Sequence, residues 1–142
     1  MIDERARRRV IAAMTFAVVI MLAYWALWFV ARSVVASNST KAYYDFENAF
    51  PAADAWITLC LVGAIATLRR QSPFSLFWLL AGGGAGVYLF CMDVLYDLEH
   101  GVWWRSGGGG VIELGINVVT IVFSTWLMRW AWYNRRALLT DG

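Results

Sequence analysis

Residues 10–31, VIAAMTFAVVIMLAYWALWFVA, form a run of 22 positions without a single charge. At ~1.5 Å of rise per residue, a helix of this length crosses the ~30 Å hydrocarbon core of a bilayer. Arg5, Arg7, Arg8 and Arg9 stand immediately before it. A secretory signal peptide opens in the same way, but its apolar core runs only ~7–15 residues. The segment is therefore read as an uncleaved span from about 10 to 35, and Val34-Val35-Ala36 marks where cleavage would otherwise fall.

Three further apolar stretches follow, at about 51–68, 73–96 and 111–132. Pro51 and Pro73 open the second and third, each suited to the first helical position, where the missing N–H costs nothing. Arg69 and Arg70 close the second, which is the shortest. Four spans and their connections use nearly all of the 142 residues, of which 61% are hydrophobic and only 15% charged. With a mean hydropathy of +0.56, this composition excludes a water-soluble enzyme, a DNA-binding module and a secreted disulfide scaffold. The expected fold class is an all-α membrane protein, a four-transmembrane-helix bundle forming one integral membrane domain over 1–142.

The arginines predict its orientation. With both termini and the Arg69-Arg70 turn on the cytoplasmic side, that side carries nine arginines, leaving only Arg32, Lys41 and Arg105 outside. Seven of the ten acids, Asp45, Glu47, Asp54, Asp93, Asp97, Glu99 and Glu113, then lie outside. The expected location is the cell (inner or plasma) membrane, and the expected first partner is the lipid bilayer. No groove-reading motif accompanies the arginines, so nucleic acid is not expected as a partner. Trp25, Trp28 and Trp103-Trp104 at the outer side, and Trp126, Trp130, Trp132 and Tyr133 at the inner, read as interfacial belts.

The longest outer loop, 32–50, places Tyr43, Phe46 and Phe50 at i, i+3 and i+7. This spacing predicts a short amphipathic helix on the outer surface, with Asp45 and Glu47 hydrated, that could act as a flap. Asn38-Ser39-Thr40 fits a glycosylation acceptor, a pattern common by chance. Ser106 and the glycines at 107–110 read as a flexible linker, because the Lys and Ser/Thr of a phosphate loop are missing. Cys60 and Cys91 belong to no C-x-x-C pair and are expected to be buried structural thiols. That separates the chain from the vitamin K epoxide reductases and the quinone-linked disulfide-forming enzymes, which need such a pair. The small multidrug-resistance transporters also have four spans, but with an essential Glu in the first, where residues 10–31 have none. In layout the chain resembles the sterol-isomerase and sigma-two-receptor group, whose helical bundles place acids near aromatics. No motif carries over residue by residue.

The polar residues inside the spans are the candidate site. Asp93, Asp97 and His100 are spaced by four and three, within a ~60° sector of the third helix. Farther in on that helix lie Gly82 and Gly86, a small-x-x-x-small pair at which another helix can approach closely. Glu113, Asn117, Thr120 and Ser124 make one stripe on the fourth helix, descending ~16 Å. Asp54 and Thr58 stand one turn apart on the second helix. Acids facing lipid cost a few kcal/mol each, so these side chains are expected to converge on an outward-opening vestibule. Crowded carboxylates need compensation by a bound metal, shared protons or Arg32.

The expected function is therefore an acidic intrabundle pocket for a cation, a proton or a small polar or cationic ligand, serving transport, sensing or regulation. Asp93, Asp97 and Glu113 are the charged ligands, with His100 as a pH-sensitive ligand, Asn117 as the orienting group and Asp54 at the margin. Thr58, Thr120, Ser124 and Arg32 line the pocket. Any metal would be held by Asp93, Asp97, Glu113 and His100; carboxylate oxygens suit a hard divalent cation such as Ca²⁺ or Mg²⁺, and an imidazole also admits Zn²⁺ or Mn²⁺. An accessory subunit of a larger membrane complex, or a homo-oligomer using Gly82 and Gly86 as an intermolecular face, is the alternative. A third reading is an intramembrane enzyme acting on a lipid or isoprenoid, with Asp93 or Glu113 as a buried general acid. No nucleophile adjoins them in sequence, so a non-enzymatic role leads.

Overall fold

Asp3 starts the first helix by accepting a hydrogen bond from the Arg5 backbone N–H at 3.3 Å, with Glu4 in the first turn, where the helix dipole favours an acid. The computed structural model describes residues 2–36, 40–104 and 109–140. Its helices are α1 (Glu4–Val30), α2 (Arg32–Val35), α3 (Lys41–Glu47), α4 (Phe50–Arg69), α5 (Phe74–His100), α6 (Gly109–Tyr133) and α7 (Arg135–Thr140). A 3₁₀ turn, Val102–Trp104, links α5 towards α6, and there is no strand among the described residues. Four segments are long and apolar enough to cross a membrane, the second of them made of α3 and α4 together.

The first helix begins earlier and ends earlier than the hydropathy suggests. It includes the arginine run and stops at Val30, where Ala31 leaves the helical region with φ −143° and ψ 56°. Arginine side chains reach water on long apolar stems while their backbone continues the helix, so charge does not mark its start. At the other side of the chain, Gly109 and Gly110 belong to α6 rather than to a linker. A Cβ on Gly110 would stand 2.5 Å from the Val102 carbonyl oxygen and 2.8 Å from Trp103 Cα, so the missing side chain is what lets the 3₁₀ turn lie on α6. Residues 105–108 and Asn38-Ser39 lie outside the described residues, so the remainder of the linker expectation and the acceptor triplet are not addressed.

The packing order is α1 on α4, α4 on α5 and α5 on α6, with α7 against α5 and α6. The first two run antiparallel: Trp25 meets Asp54 and Met21 meets Thr58 at one end, while Val10 and Leu68 share the core at the other. The core also contains Met14, Leu61, Leu79 and Leu127, and α7 closes it with Leu138. Large apolar residues such as Phe16 and Val119, 68% and 67% exposed, face outward, as a lipid environment requires. Cys60 is buried as expected, but Cys91 is exposed on that outer surface.

Glycines set how near the helices come. Gly82 faces α4, where a Cβ would lie 3.0 Å from Cys60 Cβ, whereas Gly83 and Gly86 face α6. A methyl on Gly86 would overlap the Ser124 hydroxyl, and one on Gly83 would overlap Met128 and lie 3.1 Å from the Ser124 carbonyl oxygen. Gly82 and Gly86 thus serve two different contacts within the chain. Gly84 has nothing within 4 Å of its missing Cβ. Gly86→Ala should therefore cost about 1–3 kcal/mol by overpacking, while Gly84→Ala should be neutral or gain up to ~1 kcal/mol of helix propensity. Thermal unfolding in detergent checks this, and equal melting of the two variants would contradict the close α5–α6 contact.

Candidate functional site

Asp93 and Asp97 stand one turn apart on α5, and Glu113 and Asn117 one turn apart on α6. Packing of these two helices lets the four side chains converge near the ends joined by the 3₁₀ turn. Ligand oxygens of Asp93, Asp97 and Glu113 all lie within 4.8 Å of one another. Asp97 and Asn117 are 2% exposed and Glu113 is 5% exposed, while Asp93 is half-buried. The Asn117 amide nitrogen donates to Asp97 Oδ2 at 2.9 Å, tying the helices together. Tyr43 of α3, itself 2% exposed, donates its hydroxyl to Glu113 Oε1 at 3.0 Å.

The loop helix therefore covers the cluster. Phe46 stacks on Tyr96 of α5 with ring centroids 3.8 Å apart, and packs edge-on against Phe50 at 4.8 Å. This contact seats α3 on the bundle and brings two residues that the sequence reading had left outside, Tyr43 and Glu47. Asp45 is exposed as expected, but Glu47 is buried and accepts a hydrogen bond from the Tyr24 hydroxyl at 3.3 Å. The reason is helical phase: Tyr43 and Glu47 are one turn apart and share the inward face. That spacing was the available signal for Glu47.

Aromatic donors occupy the places where belts were expected. Trp25 Nε1 donates to Asp54 Oδ2 at 2.9 Å. Trp28 is fully buried, with its Nε1 donating to Asn48 Oδ1 at 3.3 Å. Trp103 Nε1 is buried beside the Asp97 carboxylate without a partner in good hydrogen-bonding geometry. Indole and phenol groups supply neutral donors inside apolar surroundings, which is a use that hydropathy cannot distinguish from a headgroup belt. The opposite end does carry exposed Trp132 and Tyr133, with Arg135 over the first and Arg129 over the second.

The other expected pocket residues divide. Asp54 is half-buried on the margin, in electrostatic range of Asp93 and Glu47. Thr58 turns to α1, where its hydroxyl meets Met21 Sδ at 2.9 Å. Ser124 is buried deeper, against Gly86, and Thr120 is half-buried between it and Asn117. His100 lies exposed at the end of α5, stacked on Tyr96 at 4.1 Å with Nδ1 3.0 Å from the Tyr96 carbonyl oxygen. It does not join the three carboxylates as a ligand. Arg32 is held by aromatic faces, 5.0 Å from the Trp28 ring centre and 5.2 Å from that of Tyr44, and does not swing in. Of the three carboxylates expected as ligands in the vestibule, Asp97 and Glu113 are buried and Asp93 is half-buried, with Tyr43 of α3 bonded to Glu113.

Among the described residues, the arginine and lysine ion pairs are Arg7–Glu4 and Arg8–Glu4, far along the sequence from this site. No described arginine or lysine pairs with Glu47, Asp54, Asp93, Asp97 or Glu113. Such a group can hold a hard cation through carboxylate oxygens, or share protons among them. Comparison of the chain with family models, with curated proteins and with solved structures finds no match in any of the three.

Coverage by α3 is directly measurable. In a Cys91→Ala background, Asp45→Cys should react with a polar maleimide at least roughly tenfold faster than Asn117→Cys, since tenfold needs only ~1.4 kcal/mol of opening free energy. Adding Tyr43→Ala should narrow the difference. Equal rates for positions 45 and 117 in the purified protein would show that the cluster is not covered.

Proposed function

We propose that this protein is a four-span membrane protein whose carboxylate cluster binds a cation, and that this binding regulates the protein or a partner as a sensor. The observation carrying the proposal is the approach of the Asp93, Asp97 and Glu113 oxygens within 4.8 Å in a buried setting. Mutual repulsion of three carboxylates at this range falls when a cation sits among them, so the occupied and empty states differ in stability. The ligand set is all oxygen, with His100 outside it, which suits a hard divalent ion such as Ca²⁺ or Mg²⁺ over Zn²⁺.

Two features favour sensing over conduction. The polar stripe ends at Ser124, and below it Leu79, Leu127 and Ala131 fill the core. The cluster is tied to α3, whose hold on the bundle includes the Tyr43–Glu113 hydrogen bond. A cation taken up by Glu113 competes with that hydrogen bond and so couples occupancy to the seating of α3. The arginine distribution supports a cell-membrane orientation with both termini cytoplasmic, which turns the cluster to the outer side.

The test is thermal unfolding of the purified protein with and without millimolar Ca²⁺, Mg²⁺ or Mn²⁺. A free ion at 100 times its dissociation constant should add about 2.7 kcal/mol. Asp93→Asn or Glu113→Gln should remove most of that increment while raising the ion-free stability, because each relieves repulsion. Melting curves that are unchanged by all three ions would overturn the cation reading.

A further inference from the structure

At the end of the bundle opposite the carboxylates, α1 leaves a groove of about 700 Å³. Arg7, Arg8 and Arg69 stand at its mouth with Glu4, and Ile11, Phe16 and Val19 continue it along α1. From Arg8 to Val19 the groove follows eleven residues of helix, ~16 Å, about half of a ~30 Å hydrocarbon core. We propose that it is a binding site for an anionic glycerophospholipid of the leaflet on the arginine side, with the headgroup phosphate at Arg8 and Arg69 and one acyl chain along α1.

Charge and length both specify this occupant. Three arginines face a single glutamate at the mouth. Arg7 is committed to Glu4 at 2.7 Å with its side chain only 18% exposed, whereas the Arg8 side chain is 79% exposed and reaches Glu4 from 3.4 Å. Arg69, at the C-terminal end of α4, is exposed and has no ion pair among the described residues. Arg8 and Arg69, from two helices, both line the groove, and their planar donor forks match phosphate oxygens. Below them the wall is apolar, with Phe16 and Val19 68% and 58% exposed and Thr15 turning its hydroxyl back to the Ile11 carbonyl at 2.8 Å. A free inorganic anion would satisfy the mouth but leave the apolar length unused; a zwitterionic lipid would fill the length but bring a cationic group to the arginines. The inference depends on the membrane placement of the helices and is independent of the cation reading.

The experiment uses the full-length protein in mild detergent, titrated with phosphatidylglycerol, with phosphatidylcholine of the same chains, and with inorganic phosphate. Retained lipid is counted by native mass spectrometry and stability followed by intrinsic fluorescence. Phosphatidylglycerol should bind more tightly than phosphatidylcholine, and Arg8→Gln/Arg69→Gln should weaken it by roughly fivefold per arginine and erase the preference. Arg5→Gln/Arg9→Gln removes the same charge outside the groove and should keep the preference. Ala12→Trp, at an exposed groove position, should lower retention of both lipids. Equal loss in the two arginine pairs would reduce the effect to bulk electrostatics and overturn the site. Stabilisation by inorganic phosphate equal to that by phosphatidylglycerol would overturn it as well, as would equal binding of the two lipids.

Discussion

Burial of Asp97 and Glu113 between two helices whose lipid-facing surfaces are apolar is the constraint on which the carboxylate end of the bundle depends. A carboxylate at the bilayer centre costs ~2.5–3.5 kcal/mol on insertion scales, and one hydrogen bond to a charged group returns ~1.5–3 kcal/mol. One well-placed donor per carboxylate therefore nearly offsets its transfer, and four of the five buried or half-buried acids at this end, all but Asp93, have one of their own. Asn117 serves Asp97, Tyr43 serves Glu113, Tyr24 serves Glu47 and Trp25 serves Asp54. Every one of these donors is neutral. They stabilise these four acids separately and leave the repulsion between acids in place, which is why the proposed function turns on a cation.

The same requirement shapes the backbone around it. The donor to Glu113 comes from outside α5 and α6: α3, at the head of α4, brings the Tyr43 hydroxyl to it. Stacking of Phe46 on Tyr96 fixes the position of α3, and the glycine contacts fix that of α6 against α5. With Gly83 and Gly86 bare, the two helices come close enough that Asn117 spans to Asp97 at 2.9 Å. Larger residues there would push Asn117 out of reach before they disturbed the acids themselves.

The parts of this arrangement that follow a helical period were legible in the sequence. Asp93 with Asp97, and Glu113 with Asn117 and Ser124, sit on their stripes because i and i+4 share a face regardless of what surrounds the helix. The four apolar segments were legible for the same reason, since length and hydropathy are local. The bonds of Tyr43 to Glu113, Tyr24 to Glu47 and Trp25 to Asp54 were not, because each depends on how separate helices pack together; for Glu47 only the shared face with Tyr43 was legible. Tryptophan is ambiguous in principle: an amphipathic ring suits a headgroup belt and a buried carboxylate equally, and only tertiary placement separates Trp28 from Trp132. His100 shares the sector of Asp97, but at the last position of α5 its ring lies on Tyr96, one turn back, instead of reaching inward.

The division of charge along the molecule follows from side-chain length. Arginine has a long apolar stem and reaches water or headgroups from a helix end, so Arg8 and Arg69 remain exposed with apolar residues close behind them. Aspartate cannot snorkel; from a position two turns inside α5, the Asp93 carboxylate meets either lipid or other protein groups. Arginines can therefore crowd at one end with little structural consequence, whereas each acid inside a span obliges a neighbouring helix to provide a partner. The basic end is accordingly an open surface suited to anionic headgroups. The acidic end is a hydrogen-bonded network, in which the bond that seats α3, from Tyr43 to Glu113, falls on one of the three clustered carboxylates.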